Sequence, residues 1–368
     1  MTKEGKENCC AWTKALSEGR LSRRSWLRGM LGTGVALPAI ATMLAETGVA
    51  IGTADGARPL RIFNVPKFTG FVYFELAKAG GAKACAELGA QQIYIGTTTA
   101  DVEGQVQVLQ NILPQRPDGI VIAALDLNAP VPVLRRARSQ GTVVVTFDAD
   151  VASAGRDLFV NMAPFEIQAK AMLESALANA PDGGQSIWIA PTPTVANFIS
   201  QKKALDQLIA TVPRYRSIRF IDTLYANDDP EKSYAVGSSA MQAHPELKLF
   251  ISGSGISNPA INKAIQDTGR TGKVFSTGFA LPSTMTTFLE NGTCKEFALW
   301  SPYQYGYMAT YCAILLKSGK LAAKPGTKVD VPTIGERTIG SGAVTDLDQM
   351  VFFTKGHEDF NDAIPMKS

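Results

Sequence analysis

From Arg58 onward, short runs rich in β-branched and aromatic residues alternate with longer stretches whose apolar positions recur at helical spacing. LRIFNVP (60–66) predicts a strand. FELAKAGGAKACAELG (74–89) predicts a helix that ends at a glycine, as a C-cap does. QQIYIGT (91–97) predicts the next strand, and VEGQVQVLQNILPQ (102–115) a helix with apolar residues at 102, 106, 109, 112 and 113. GIVIAAL (119–125) and TVVVTFD (142–148) continue the strands, with PVPVLRRARSQG (130–141) as the helix between them. Strands separated by helices read as right-handed crossovers on a parallel sheet.

A second set follows. Helices are predicted at 164–180, 196–210, 230–244, 258–269 and 283–291, and strands at 186–191, 217–226, 247–253, 273–279 and 296–300. A longer helix, PYQYGYMATYCAILLKSG (302–319), comes next. The tail from Ala322 is rich in Gly, Pro and Thr and offers one late strand, MVFFT (350–354). Each set makes a sheet too large to merge with the other. The fold class expected is therefore α/β, with two doubly wound parallel-sheet lobes joined by a hinge. The N-terminal lobe is expected to hold 58–161 plus 301–320, and the C-terminal lobe 162–300 plus 321–368. Hinges are expected near Phe159–Met162, Trp300–Pro302 and Gly319–Lys324.

Composition changes this picture at one end. The chain has 368 residues, 45% hydrophobic and 19% charged, which is globular rather than disordered. Residues 1–50 stand apart. They carry SRRSWLR (Ser22–Arg28), an uncharged run from Gly29 to Ala45, and small residues up to Ala50. A charged segment, an apolar segment and a small-residue cleavage zone make an export signal, and the paired arginines fit the twin-arginine type. Its alternative is an uncleaved signal-anchor helix. The apolar run of 17 residues contains Gly32, Gly34 and Pro38 and falls short of the roughly 20 a spanning helix needs. Cleavage is expected after Ala50 or Ala54. The whole chain has 36 basic and 33 acidic residues. The first fifty hold seven basic and four acidic, which leaves 29 of each. The basic excess thus belongs to the signal, and no nucleic-acid footprint remains. Cys9 and Cys10 lie in the signal, leaving Cys85, Cys294 and Cys312. An odd count allows at most one disulfide, and small buried apolar residues are the plainer reading.

Ligands of open α/β sheets bind beyond the carboxyl ends of the strands. The residues expected there include Lys67 and Phe68, Thr97–Thr99, Asp126, Asn128, Asp148, Asp150, Thr192–Asn197, Asn227, Asp228, Ser252–Asn258, Gly278, Phe279 and Trp300–Gln304. They are carboxylate, amide, hydroxyl and aromatic groups, without histidine or cysteine. The two histidines, His244 and His357, pair with no nucleophile at a familiar spacing. Neither a dinucleotide fingerprint nor a P-loop is present. Asp148 and Asp150 could form half of a hard-cation site, but no acidic cluster surrounds them. No metal, cofactor or catalytic set is expected. The residue types suit a polyhydroxylated ligand: carboxylates accept from hydroxyls, lysine and amides donate, and aromatic faces cover C–H surface.

Several stretches also carry a resemblance: NVPKFTGFVYFELAKAG, EGQVQVLQNILPQRPDGIVIAALD, GTVVVTFDAD and, above all, GTCKEFALW followed by a helix. They are similar to periplasmic substrate-binding proteins of sugar-type ABC importers, in the autoinducer-2-binding and rhamnose-binding branch, from about residue 60 to 355. The resemblance implies a type I periplasmic binding protein, not an enzyme. It would act as a monomer in the periplasm, bind a monosaccharide or polyol, and deliver it to a membrane permease by hinge closure. It also implies that Lys67 binds ligand oxygen, that Asp148 contacts hydroxyls and that Trp300 lines the pocket. Members of the autoinducer branch carry Asp-Gln where this chain has Asn197 and Phe198, and Pro-x-Ala where it has Gly253, Ser254 and Gly255. A related sugar or sugar alcohol is therefore implied rather than the signal itself.

The candidate ligand-binding set is Lys67, Phe68, Phe71, Asp126, Asp148, Asp150, Asn197, Phe198, Ser254 and Trp300. Each has a plainer alternative. Lys67 could be a solvated strand-end lysine, and Asp148 a turn or cap residue. Phe71 could be core, Asn197 a helix cap, and Trp300 packing between lobes. Two other functions stay open. One is a receptor subunit reporting to a membrane sensor. The other is an exported sugar-modifying enzyme using Asp148 or Asp150.

Overall fold

The computed structural model describes residues 58–348 and 350–356; the export signal expected within 1–50 lies outside the described residues. In the first lobe the order is β1 (Arg61–Val65), α1 (Val72–Leu88), β2 (Gln91–Tyr94), α2 (Val102–Ile112), β3 (Gly119–Ile122), α3 (Val131–Ser139), β4 (Val143–Phe147) and β5 (Leu158–Asn161). β1 shows why a sheet forms here. Its side chains alternate between two apolar layers: Phe63 and Val65 pack with Leu109, Ile112 and Leu134, while Ile62 packs with Ala77, Ala84 and Ala313. A strand buried on both faces needs a helix on each side, and that is the doubly wound arrangement.

The second lobe runs α4 (Phe165–Asn179), β6 (Gly184–Ala190), α5 (Ala196–Thr211), β7 (Ile218–Tyr225), α6 (Pro230–Ala243), β8 (Leu247–Ser252), α7 (Ser257–Asp267), β9 (Phe275–Gly278), α8 (Pro282–Glu290) and β10 (Glu296–Leu299). The chain then forms α9 (Pro302–Lys317), β11 (Lys328–Val331), β12 (Gly335–Thr338), β13 (Val344–Asp346) and β14 (Val351–Thr354). The first sheet has the order β13-β5-β4-β3-β1-β2 and the second β7-β6-β8-β9, all pairs parallel. β10 pairs antiparallel with β14, and a bridge between Phe279 and Ala298 ties that pair to the end of β9. This is the two-lobed α/β architecture expected.

The tail departs from the sequence reading. Residues 321–368 are expected in the C-terminal lobe, yet β13 pairs with β5 in the first sheet. Arg156 holds this segment by donating to the carbonyls of Gly342 and Ala343 at 2.9 and 3.1 Å. Gly319–Lys324, expected as a hinge, does not carry the chain between sheets; the step from first sheet to second falls between Asp346 and Val351. β5 occupies most of the expected hinge Phe159–Met162, and the chain leaves the first sheet after Asn161. α9 packs on the first lobe against α1, β3 and β4. The backbones of α1 and α9 approach closely enough that a Cβ on Gly80 would lie 1.9 Å from the Tyr303 carbonyl, and one on Gly306 2.1 Å from that of Ala77. Cys85, Cys294 and Cys312 are free and buried.

Candidate functional site

Both sheets reverse their winding beside their first strand. In the first lobe β1 lies between β2 and β3; in the second, β6 lies between β7 and β8. Helices diverge at such a point and leave a crevice beyond the carboxyl ends of the strands. The residues leaving β1, β6 and β8 are Lys67 and Phe68, Asn197 and Phe198, and Gly253–Gly255. All line one cavity, together with Phe71, Tyr73, Asp148, Asp228, Phe279 and Trp300.

Lys67 is 4% exposed, so it is not a solvated strand-end lysine. Its position is set by Gln105, which is buried and bridges two strand ends. The Gln105 amide donates to the carbonyls of Pro66 (3.0 Å) and Ala123 (2.9 Å), and its oxygen accepts from the Leu125 N–H (2.9 Å). Lys67 Nζ lies 2.7 Å from Asp148 Oδ2 and over the Phe198 ring at 5.7 Å from its centroid.

Asp148 follows β4 with a φ of 61°, in the left-handed region. Tyr305 fixes that turn: its hydroxyl accepts from the Asp148 N–H at 2.7 Å and donates to the Val160 carbonyl at 2.9 Å. The other carboxylate oxygen, Oδ1, accepts from the Tyr73 hydroxyl at 3.2 Å, which in turn accepts from Trp300 Nε1 at 2.9 Å. Burial, and then the Asp148 charge, push the Tyr73 phenol well above its ordinary range, so Tyr73 remains a donor to the carboxylate. Lys67, Asp148, Tyr73 and Trp300 therefore form one connected polar chain.

The second lobe faces this chain with different groups. Ser254 Oγ donates to Asp228 Oδ1 at 2.7 Å. Burial pushes the Asp228 carboxyl above the ordinary aspartate range and Asp148 adds to this, while Lys67 and the Ser254 hydroxyl oppose it. Asn197, 4% exposed, leaves its Oδ1 buried without a donor among the described residues. It lies inside the first turn of α5 and is not its cap; Val195 holds that position. The walls are aromatic. Phe68 stacks on Phe71 at 5.8 Å, Tyr73 meets Trp300 edge-on at 6.2 Å, and Trp300 meets Phe279 at 4.9 Å. The space left is a cavity of about 50 Å³.

Two sequence candidates fall elsewhere. Asp126 does not line this cavity. Burial would raise its carboxyl, but the N–H groups of Ala129 and Asn128 (both 2.8 Å) and the Thr194 hydroxyl outweigh it and hold it below the usual range. The neighbouring Leu127 N–H donates to the Thr194 carbonyl at 3.3 Å, so this turn meets the second lobe directly. Asp150 is engaged by Arg156, whose Nε lies 2.7 Å from Oδ1 and 2.9 Å from Oδ2. It lines a separate cavity of about 500 Å³ with Phe159, Asn161, Ser200 and Asp346. Conversely, Tyr73 and Asp228 line the first cavity without having been candidates. Asp228 stood among the strand-end residues, whereas Tyr73 sits in the first turn of α1, just ahead of the helix expected from residue 74.

A family model described as a periplasmic binding protein domain matches residues 62–321. The chain belongs to the periplasmic binding protein domain family. Solved structures in this fold are similar over most of their length. A sugar ABC transporter from Actinomyces odontolyticus is 33% identical with a TM-score of 0.65, covering 80% of this chain and 95% of that one. LsrB from Clostridium saccharobutylicum in complex with AI-2 is 25% identical with a TM-score of 0.75, covering 80% and 98%. A solute-binding protein from Clostridium phytofermentas with bound L-rhamnose is 24% identical with a TM-score of 0.77, covering 81% and 96%, a likeness that concerns the fold. In this periplasmic binding protein the cavity sits where both sheets reverse, between side chains of the two lobes.

Proposed function

We propose that this protein is the periplasmic solute-binding component of an ABC importer, holding a monosaccharide or related polyol between its lobes and delivering it to a membrane permease. One observation carries the reading. Lys67 and Asp148 of the first lobe face Asn197, Asp228 and Ser254 of the second across a cavity walled by aromatic rings. Ligand hydroxyls meet charged acceptors and a charged donor there, and the rings cover the apolar face. The ligand contacts proposed are Lys67, Phe68, Phe71, Asp148, Asn197, Phe198, Ser254 and Trp300, with Tyr73 and Asp228 added. The similarity to a sugar ABC transporter supports the substrate class, and SRRSWLR (Ser22–Arg28) supports twin-arginine export to the periplasm. Residues where the autoinducer branch differs, Asn197, Phe198 and Gly253–Gly255, all line the cavity, which favours a sugar or sugar alcohol over AI-2.

The present cavity of about 50 Å³ is smaller than the roughly 300–1,000 Å³ of ligand sites. Binding must widen the cleft and exchange the Lys67–Asp148 and Ser254–Asp228 bonds for bonds to ligand. Contacts on both lobes are what couple binding to hinge motion. A thermal-shift screen over monosaccharides and polyols, with AI-2 included, tests this. A true ligand at 100 times its dissociation constant adds about 2.7 kcal/mol of stability. Asp148→Ala is expected to abolish the shift. Stabilisation by another metabolite class alone would contradict the sugar reading, and a shift that survives Asp148→Ala would remove that residue from the site.

A further inference from the structure

The cavity has an unbalanced set of charges. Its charged lining residues are Lys67, Asp148 and Asp228, one cation against two carboxyl groups. Lys67 is committed to Asp148 at 2.7 Å. Asp228, on the opposite lobe, has a neutral partner in Ser254. Asp228 is half-buried, and a carboxylate partly removed from water with a hydroxyl as its hydrogen-bond partner is stabilised by a proton or by a positive charge from outside. A second observation points the same way. Asn197 lines the same cavity, is more than nine-tenths buried, and has no donor for its Oδ1 among the described residues. The second lobe thus offers a carboxyl group and an amide oxygen, both acceptors. Phe279 and Trp300 supply aromatic surface beside them.

We infer that the ligand is an amino sugar or amino polyol, whose ammonium group is received by Asp228 with Asn197 while its hydroxyl groups meet Lys67 and Asp148. This rests on the sugar-binding reading above and narrows its substrate class. An ammonium group has three N–H donors and one positive charge, so it satisfies both acceptors and restores charge balance. A neutral sugar supplies hydroxyl donors but leaves two carboxyl groups against one ammonium group in the cavity.

The test measures dissociation constants by titration calorimetry for matched pairs: D-glucosamine with D-glucose, D-galactosamine with D-galactose, D-mannosamine with D-mannose, and glucamine with sorbitol. A hydrogen bond between charged groups is stronger than one to a neutral hydroxyl, so the amino member of the fitting pair should bind about tenfold or more tightly than its hydroxyl parent. In Asp228→Asn, or in Asp228→Ser should the first variant fold poorly, the ratio within that pair should fall toward one. A hydroxyl parent binding as tightly as its amine overturns the inference and leaves the sugar reading intact. A preference for the amine unchanged in both Asp228 variants also overturns it. Failure of every pair overturns it too; if all other sugars and polyols of the thermal screen fail as well, the sugar reading falls with it.

Discussion

At the scale of single residues, the site turns on a buried ion pair. Lys67 and Asp148 have side chains 5% and 9% exposed. Removing one partner of such a pair leaves an uncompensated charge, at a cost of about 3–5 kcal/mol, whereas replacing both with apolar groups of similar volume is far less damaging. Lys67→Met is therefore expected to destabilise the protein strongly, and Lys67→Met with Asp148→Leu to recover much of the loss. Urea unfolding of the three proteins checks this; equal losses in the single and double variants would show that the pair is not coupled. Asp228 yields a prediction in pH. Its carboxyl is raised by burial and by Asp148, against Lys67 and Ser254, so the folded chain holds that proton to higher pH than the unfolded chain. Its contribution is fully present below the unfolded value and is lost as pH rises through the raised one. Glu296 and Asp346 are raised by burial and act with the same sign. Asp228→Asn should raise the melting temperature more at pH 8 than at pH 4. The same change at both pH values would contradict the assignment. Lys67 and Asp148 were legible in sequence because each directly follows a strongly apolar strand. Asp228 was not, because it adjoins Asp229, which caps α6, and two successive aspartates do not reveal which one faces a cleft.

Secondary-structure elements hold these residues through packing that leaves little slack. α1 carries Tyr73 and α9 carries Tyr305, and the two helices touch backbone to backbone at Gly80 and Gly306. A methyl group at Gly80 would fall 1.9 Å from a main-chain oxygen, so the helices would have to separate. Gly80→Ala should cost roughly 1–3 kcal/mol despite the better helix propensity of alanine, as overpacking does. Thermal or denaturant unfolding reads it, and a stabilised variant would mean that the helices are not in close contact. Most helices and strands were legible because their apolar periodicity is regular. β5 and β13 were not. β5 is the four-residue LFVN and β13 the three-residue VTD, too short to show alternation. β13 is placed by the Arg156 bonds to Gly342 and Ala343, and no local pattern announces a pairing made across 185 positions.

For the whole molecule, two sheets of similar winding bring their points of reversal to one cavity, and the two doubly wound lobes were legible in outline from the alternation of strands and helices. Which lobe owned the tail was not, since that depends on contacts distant along the chain. The cavity joins charged and amide groups from both lobes, and the central claim is that a sugar or polyol is what those groups receive. Mass spectrometry of the small molecule released from native, gently purified protein tests this most directly. One monosaccharide, amino sugar or polyol per chain is expected from the wild type, and none from Asp148→Ala. A molecule of another class, or a sugar that remains bound to Asp148→Ala, would contradict it.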